Sequence, residues 1–296
     1  MRNTFIEELV SFARKDPHIA LVVGDLGYSV VEPFADEFPD RFINAGVAEQ
    51  NMASLSAGMA SEGYHVFTYS IANFPTFRCA EQIRNDIAYH DYPVTTVSVG
   101  GGLAYGALGY SHHAVQDYAL MRSFPNMLIA APGDPNEVRA VMRYLIDNPG
   151  PSYLRLGKVG EATHHDNIPQ LSPGQWVQIR KGKSNKAILT TGATLQIGID
   201  YLANKKYENF SLYSLPIWSM NSKVSQIDII KKFDEVVTIE DHLLDGGFGS
   251  WLLESCISAS DVIGKIRPIA LDPVVCGTVG VQKILNQIGG IALGKS

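Results

Sequence analysis

The sequence predicts an α/β protein made of two doubly wound, mainly parallel-sheet domains, and three observations predict it. Short apolar, β-branched runs alternate with helical patterns along nearly the whole chain, which implies right-handed crossovers between parallel strands. The 296 residues are 46% hydrophobic, ample apolar material for two ordinary cores. Between the halves, residues 159–183 change character: His164, His165, Asn167, Pro169, Pro173 and Gly174 replace the periodic pattern. That stretch reads as a linker between domains of residues 1–158 and 184–296.

Each element follows in order. Residues 19–23 (IALVV) read as a buried strand ending at Gly24 and Asp25, and residues 66–69 as a second. Residues 93–99 run into Gly100, Gly101 and Gly102, and residues 127–131 form the next strand. Asp134, Pro135 and Glu137 then combine a capping side chain, a first-turn proline and a capping-box acid. Behind them Val138, Val141, Met142, Leu145 and Ile146 form a stripe of helical period. Residues 152–156 close the first half. Strands at residues 187–191, 210–213, 235–239 and 266–271 make up the second. Ligands of such sheets bind beyond the carboxyl ends of strands, so the segments after Val23, Tyr69 and Val99 are the places to search.

Composition narrows the function. The net charge is -6, and pairs such as Lys231-Lys232 are too short to track a phosphate backbone, which argues against nucleic acid. Cys79, Cys256 and Cys276 are far apart and odd in number, which argues against a disulfide framework or a thiolate metal site. Glu7, Glu8, Arg14 and Lys15 leave no apolar stretch for a signal peptide. No run reaches the ~18 apolar residues of a membrane span. A cytoplasmic protein is expected.

Two segments carry candidate chemistry. Residues 100–109 are Gly-rich and lead into Ser111, His112 and His113. They match neither dinucleotide nor P-loop spacing, but a Gly-rich loop straight after a core strand suits a binding site. Glu49 opens a small-residue helix pattern through Ala53, Ala57 and Ala60. Taken alone, a carboxylate there is better read as complementing the helix dipole than as a catalyst.

The strings around Glu49 alter that. PDRFINAGVAEQNM (39–52), FPTFRCAEQIRND (74–86), GYSHH (109–113), RSFPNM (122–127) and PSYLRLGK (151–158) stand in order. Together they resemble the pyrimidine-binding domain of the transketolase family. Residues 184–296 resemble the family's C-terminal domain more loosely, best at Glu240-Asp241-His242 and GGFG (246–249). The family's N-terminal diphosphate-binding domain has a Gly-Asp-Gly…Asn metal motif that is absent here. The chain therefore resembles the C-terminal subunit of a split transketolase.

The resemblance implies thiamine diphosphate as cofactor, with Mg²⁺ or Ca²⁺ held by an N-terminal, diphosphate-binding partner subunit in an α₂β₂ heterotetramer. It implies transfer of a two-carbon ketol unit from a ketose, free or phosphorylated, to an aldehyde. Glu49 falls on the acid that bonds the aminopyrimidine. Phe74 and Phe77 fall on positions enclosing that ring; Ile71 stands where another aromatic is common. Asp25 and Leu26 fall near the cofactor, and Ser29 on a substrate-phosphate contact. His112 falls on a His that moves protons on substrate hydroxyls. Arg78 matches a substrate-binding Arg, with an ion pair to a carboxylate such as Glu81 as the competing role. Lys158 stands where an Arg binds phosphate, and loses its bidentate fork. Leu108 stands where an Asp usually reads the acceptor's hydroxyl, so an atypical acceptor is expected. A deoxyxylulose-phosphate-synthase-like carboligase, a 2-oxo-acid dehydrogenase β subunit and a non-catalytic scaffold remain as alternatives. The Glu81–Asn85 string favours transketolase over the dehydrogenase, and intact Glu49 and His112 weigh against the scaffold.

Overall fold

A computed structural model describes residues 1–158 and 160–293. Val159, at the expected domain boundary, and residues 294–296, at the end of the expected second domain, lie outside the described residues. In chain order the strands are β1 (Ile19–Val23), β2 (Phe42–Asn44), β3 (His65–Ile71), β4 (Val94–Val99), β5 (Leu128–Ala130) and β6 (Ser152–Leu156). They continue as β7 (Val177–Arg180), β8 (Lys186–Thr190), β9 (Ser211–Ser214), β10 (Ile217–Trp218), β11 (Glu235–Leu243) and β12 (Ile266–Leu271). One sheet has the order β10-β5-β6-β4-β3-β1-β2 and the other β12-β11-β8-β9-β7. All pairings are parallel except β10 with β5 and β7 with β9.

The continuous apolar runs are explained by burial on both faces, as parallel sheets covered by helices require. In β1, Ala20 and Val22 pack into one core while Ile19, Leu21 and Val23 pack into another on the opposite face. In β8, Ala187 and Leu189 face the first of these cores, and Ile188 a third. Each fully buried Leu or Ile contributes about 1.5–3 kcal/mol. The first core runs from β1 through Trp218 and Trp251, so the two halves share packed interior.

Three short strands depart from the expectation. β7 lies inside the span read as linker, so the second sheet begins before residue 184. Its alternating exposure over four residues is too brief a period to read against the surrounding prolines. β10, only two residues long, comes from the second half but adds antiparallel to the first sheet. β2 was hidden by its three-residue length. The Pro135–Asp147 helix has the expected cap, Asp134 Oδ1 accepting from Glu137 N at 2.7 Å. Glu137 reaches back one residue further than a capping box does, to Gly133 N at 2.6 Å. No helix of the described residues is long and apolar enough to cross a membrane.

Candidate active site

The first sheet reverses direction at β1: the chain steps to β2 on one side, then returns past β1 to β3. Such a reversal opens a crevice beyond the strands' carboxyl ends. Three segments converge there.

The first leaves β1. Asp25 and Ser29 hold left-handed backbone, φ 55° and 64°, two of three non-glycine cases among the described residues. Strain of this kind concentrates at functional sites. It is held by a small net: Asp25 N donates to Asn44 Oδ1 at 3.1 Å, Asn44 Nδ2 donates to Asp25 Oδ1 at 3.0 Å, and Tyr28 adds its hydroxyl at 3.1 Å. Ser29 N donates to Glu32 Oε1 at 2.7 Å. Gly27, at φ +100°, could not carry a side chain without striking Val31 and Tyr69. Leu26 and Ser29 border the crevice-facing turn, Ser29 exposed and Leu26 half-buried.

The second is the Glu49–Ser61 helix. Its buried face is Met52, Ala53, Ser56, Ala57 and Ala60, small enough for the helix to lie close on β3. Glu49 opens it and is only 3% exposed, although Ala48 and Gln50 on either side are exposed. Its Oε1 accepts from Arg78 Nη1 at 3.0 Å. This displaces the competing pairing of Arg78 with Glu81: the partner is 29 residues away in sequence, not three. Arg78 in turn lies over the Phe74 ring, Cζ 4.0 Å from its centroid.

The third follows β3 and β4. Phe74–Phe77 forms one helical turn. Phe74 is half-buried and Phe77 is 46% exposed. The Phe74 ring meets His112 edge-on at 5.2 Å between centroids. Burial first, then Arg78 and His113, hold the His112 imidazole below its usual pKa, so it is neutral at neutral pH. Its Nδ1 lies 3.0 Å from Ser111 Oγ. His113 is buried against Gly106 O, a neighbour rather than a member of the cluster. Cys79, beneath Phe74, is pushed up to about 12 by burial and then by Glu49, which keeps its thiol protonated.

Glu49, Arg78, Phe74 and His112 thus form one continuous chain of contacts. Asp25, Leu26 and Ser29 lie on the neighbouring turn. Lys158 stands apart: its Nζ is 4.9 Å from the Tyr105 centroid, and Tyr105 meets His112 at 6.4 Å. Leu108 is 59% exposed in the turn Gly106–Leu108. Among the described residues, no three His, Cys, Asp or Glu gather as a metal-holding group.

Sequence reasoning missed three contributors. Asn73 Nδ2 donates to Ser111 O at 3.2 Å and His113 O at 2.8 Å, tying the His112 loop to the Phe74 turn. Tyr105 is the wall between His112 and Lys158. Arg155, within the strand string SYLRL, is buried and donates to Asp117 Oδ2 at 2.7 Å, Asp241 Oδ1 at 2.6 Å and Ala114 O at 2.8 Å. Ala114 pairs with Gly102, so Arg155 fastens both ends of the site loop. A lone arginine in a buried apolar strand was the only signal for it.

Comparison with known proteins agrees with the string resemblance. Residues 1–159 match the transketolase pyrimidine binding domain. The chain is 33% identical over 259 residues to one of the subunits of apulose-4-phosphate transketolase from Actinobacillus succinogenes, covering 86% of this chain and 82% of that one. It is 32% identical over 296 residues to a protein of Methanocaldococcus jannaschii named as a transketolase C-terminal section, covering 98% and 92%. Among solved structures, a split-gene transketolase in the form of an inactive β4 tetramer superposes with a TM-score of 0.82 at 26% identity, over 98% and 93% of the two chains.

Proposed function

The chain belongs to the transketolase family, as the C-terminal subunit of a split, thiamine-diphosphate-dependent enzyme, and we propose that the Glu49 crevice is its half of the active site. The reaction proposed is transfer of a two-carbon ketol unit from a ketose phosphate to an aldehyde. The observation that carries this is Glu49 itself: a carboxylate 3% exposed, with Oε1 held by Arg78 and Oε2 accepting no hydrogen bond among the described residues. A buried acceptor oxygen, next to an Arg78 that lies over the Phe74 ring, fits a protonated nitrogen of a flat heteroaromatic ring.

Thiamine diphosphate, when bound, supplies the carbanion chemistry that breaks and makes the bond beside a carbonyl. This chain's residues do the rest. Glu49 would hold a proton at the pyrimidine ring, with Arg78 fixing the orientation of its carboxylate. Phe74 and Phe77 would wall that ring and exclude water, and Asp25 and Leu26 would border it from β1. His112, neutral and able both to donate and to accept, would move protons on substrate hydroxyls. Arg78 would contact the substrate near that centre, and Ser29 and, beyond Tyr105, Lys158 would contact substrate phosphate.

Tyr28, Val47, Phe77, Leu108 and Tyr110, on the segments that carry the candidate residues, are all exposed, and large exposed side chains of this kind suit an interaction surface. We assign that surface to the diphosphate-binding partner subunit, which would bring the Mg²⁺ or Ca²⁺ and complete an α₂β₂ assembly. The Actinobacillus succinogenes relative is named for a sugar phosphate, and a donor of that class suits the cation set here.

Leu108 directs the choice of acceptor. Four residues before His112 it offers no oxygen, so an ordinary 2-hydroxyaldehyde phosphate loses one hydrogen bond. The test is to reconstitute the chain with a diphosphate-binding subunit and measure kcat/KM for ribose 5-phosphate with the parent and Leu108→Asp. One added hydrogen bond to the charged group predicts a gain of about tenfold or more. Full activity of the parent on ribose 5-phosphate, with no gain in the variant, contradicts this assignment.

A further inference from the structure

On the reading of the Glu49 crevice as this chain's half of the active site, we infer that Asn44 is a positioning residue for it. One carboxamide locks together the two turns that carry Asp25, Leu26 and Glu49. β1 and β2 are parallel neighbours, and Asn44, the last residue of β2, stands opposite Val23, the last residue of β1. Parallel strands share no hairpin, so beyond this pair the two segments part. The first becomes the turn of Asp25 and Leu26. The second becomes the turn at Gly46, three residues before Glu49. The ladder runs one bond further, Ala45 N donating to Val23 O at 2.9 Å. Past that bond, the backbone donors of both turns need other partners.

Asn44 supplies them. Its Oδ1 accepts from Asp25 N at 3.1 Å and from Gly46 N at 3.0 Å, and its Nδ2 donates to Asp25 Oδ1 at 3.0 Å. Two backbone N–H groups converging on one atom identify it as the oxygen. Asn44 is exposed, so water can satisfy these groups and burial does not impose the bonds. What the bonds fix is conformation. Asp25 and Gly46 both hold left-handed backbone, φ 55° and 74°, and at Asp25 that conformation costs energy, which the paired amide offsets. The place of Gly46 passes straight to Glu49. Ala48 N donates to Gly46 O at 2.8 Å, and Met52 N to Ala48 O at 2.9 Å starts the helix that Glu49 opens. Arg78 holds the Glu49 carboxylate, so Asn44 sets the backbone and Arg78 the side chain. A short amide suits both tasks, with an oxygen that accepts twice and a nitrogen that donates. Aspartate at 44 would set a second carboxylate against Asp25.

The experiment is Asn44→Ala, in the full chain and in the enzyme reconstituted with a diphosphate-binding subunit. Hydrogen exchange of the full chain should show the Asp25 and Gly46 amides about tenfold less protected, with the rest of the chain and the urea midpoint unchanged. In the reconstituted enzyme, saturated with thiamine diphosphate, the rate at which the bound cofactor exchanges its C2 hydrogen for deuterium reads the Glu49 contact without any sugar substrate. That rate should fall about tenfold or more in Asn44→Ala, because a small misplacement of the acid is enough. Exchange at the parent's rate overturns the inference, and if Glu49→Gln is slow beside it, the crevice reading survives that failure. Glu49→Gln exchanging at the parent's rate removes the crevice reading and this inference with it. A lowered midpoint with protection lost throughout the chain also overturns the inference, because Asn44 then holds the fold and not the site.

Discussion

Replacing Arg155 by methionine probes the joint on which the site loop depends. The guanidinium is 2% exposed, and its partners Asp117 and Asp241 are 0% and 3% exposed. Burial alone would favour loss of its proton. Asp117 and Asp241 outweigh that effect and hold the guanidinium charged, well above its ordinary pKa. Removing the cation therefore leaves two buried carboxylates without a counter-charge, Asp117 keeping only the Tyr153 hydroxyl as donor. Breaking one buried pair typically costs about 3–5 kcal/mol, and here the Ala114 carbonyl loses a donor as well, about 1 kcal/mol more. Arg155→Met should thus lose at least ~4 kcal/mol, a large share of the ~5–15 kcal/mol of an ordinary native protein. Urea unfolding of the full chain, followed by tryptophan fluorescence, reads this directly because Trp218 meets Tyr118 edge-on, and the Tyr118 ring lies beneath Arg155. The triple change Arg155→Met with Asp117→Asn and Asp241→Asn should recover most of the loss, since neutral amides tolerate burial better than orphaned charges. A single variant within ~1 kcal/mol of the parent would refute the claim that this cluster is a tightly coupled joint.

Two further outcomes follow from other parts of the molecule. Glu240 is pushed up to about 8 by burial, against the lowering hydrogen bonds from Gly249 and Phe248. Its folded pKa lies above its ordinary 4.5, so the folded state binds more protons across that window. Stability should therefore fall as pH rises from about 4.5 to 8, by up to ~1.4 kcal/mol per unit from this group, and Glu240→Gln should flatten the slope seen in urea midpoints. Asn73→Ala removes both bonds that tie the His112 loop to the Phe74 turn; it should lower kcat of the reconstituted enzyme about tenfold or more while moving the unfolding midpoint little. An unchanged kcat would mean the loop is held elsewhere.

How much was legible follows from where the information sits. β1 and β8 were readable because burial on both faces demands apolar runs, and β4 because its β-branched residues end at a run of glycines. β2, β7 and β10 were not, because two to four residues carry no period, and their places in the sheets depend on partners far along the chain. The cap at Asp134 was local and readable; the reach of Glu137 to Gly133 rather than to its cap was a matter of rotamer. At the site, the strings fixed which residues to examine, but not their partners. Arg78 has Glu81 three residues away, yet it bonds Glu49 across 29, because the β3-to-helix turn aims it back over Phe74 into the crevice. Lys158 sits beside Tyr105 rather than beside Glu49, a placement its string could not show. Asn73 and Arg155 act on the site through other residues, and a residue type alone does not announce that role.

The central claim is that Glu49 is the acid of a shared active site, and turnover of Glu49→Gln in the reconstituted enzyme tests it most directly. Glutamine keeps the side chain's shape and the Arg78 bond, so assembly and the unfolding midpoint should be retained. It cannot hold the proton at the pyrimidine ring, so kcat should fall by about 10²-fold or more. Turnover within a few-fold of the parent, with assembly intact, would contradict the account.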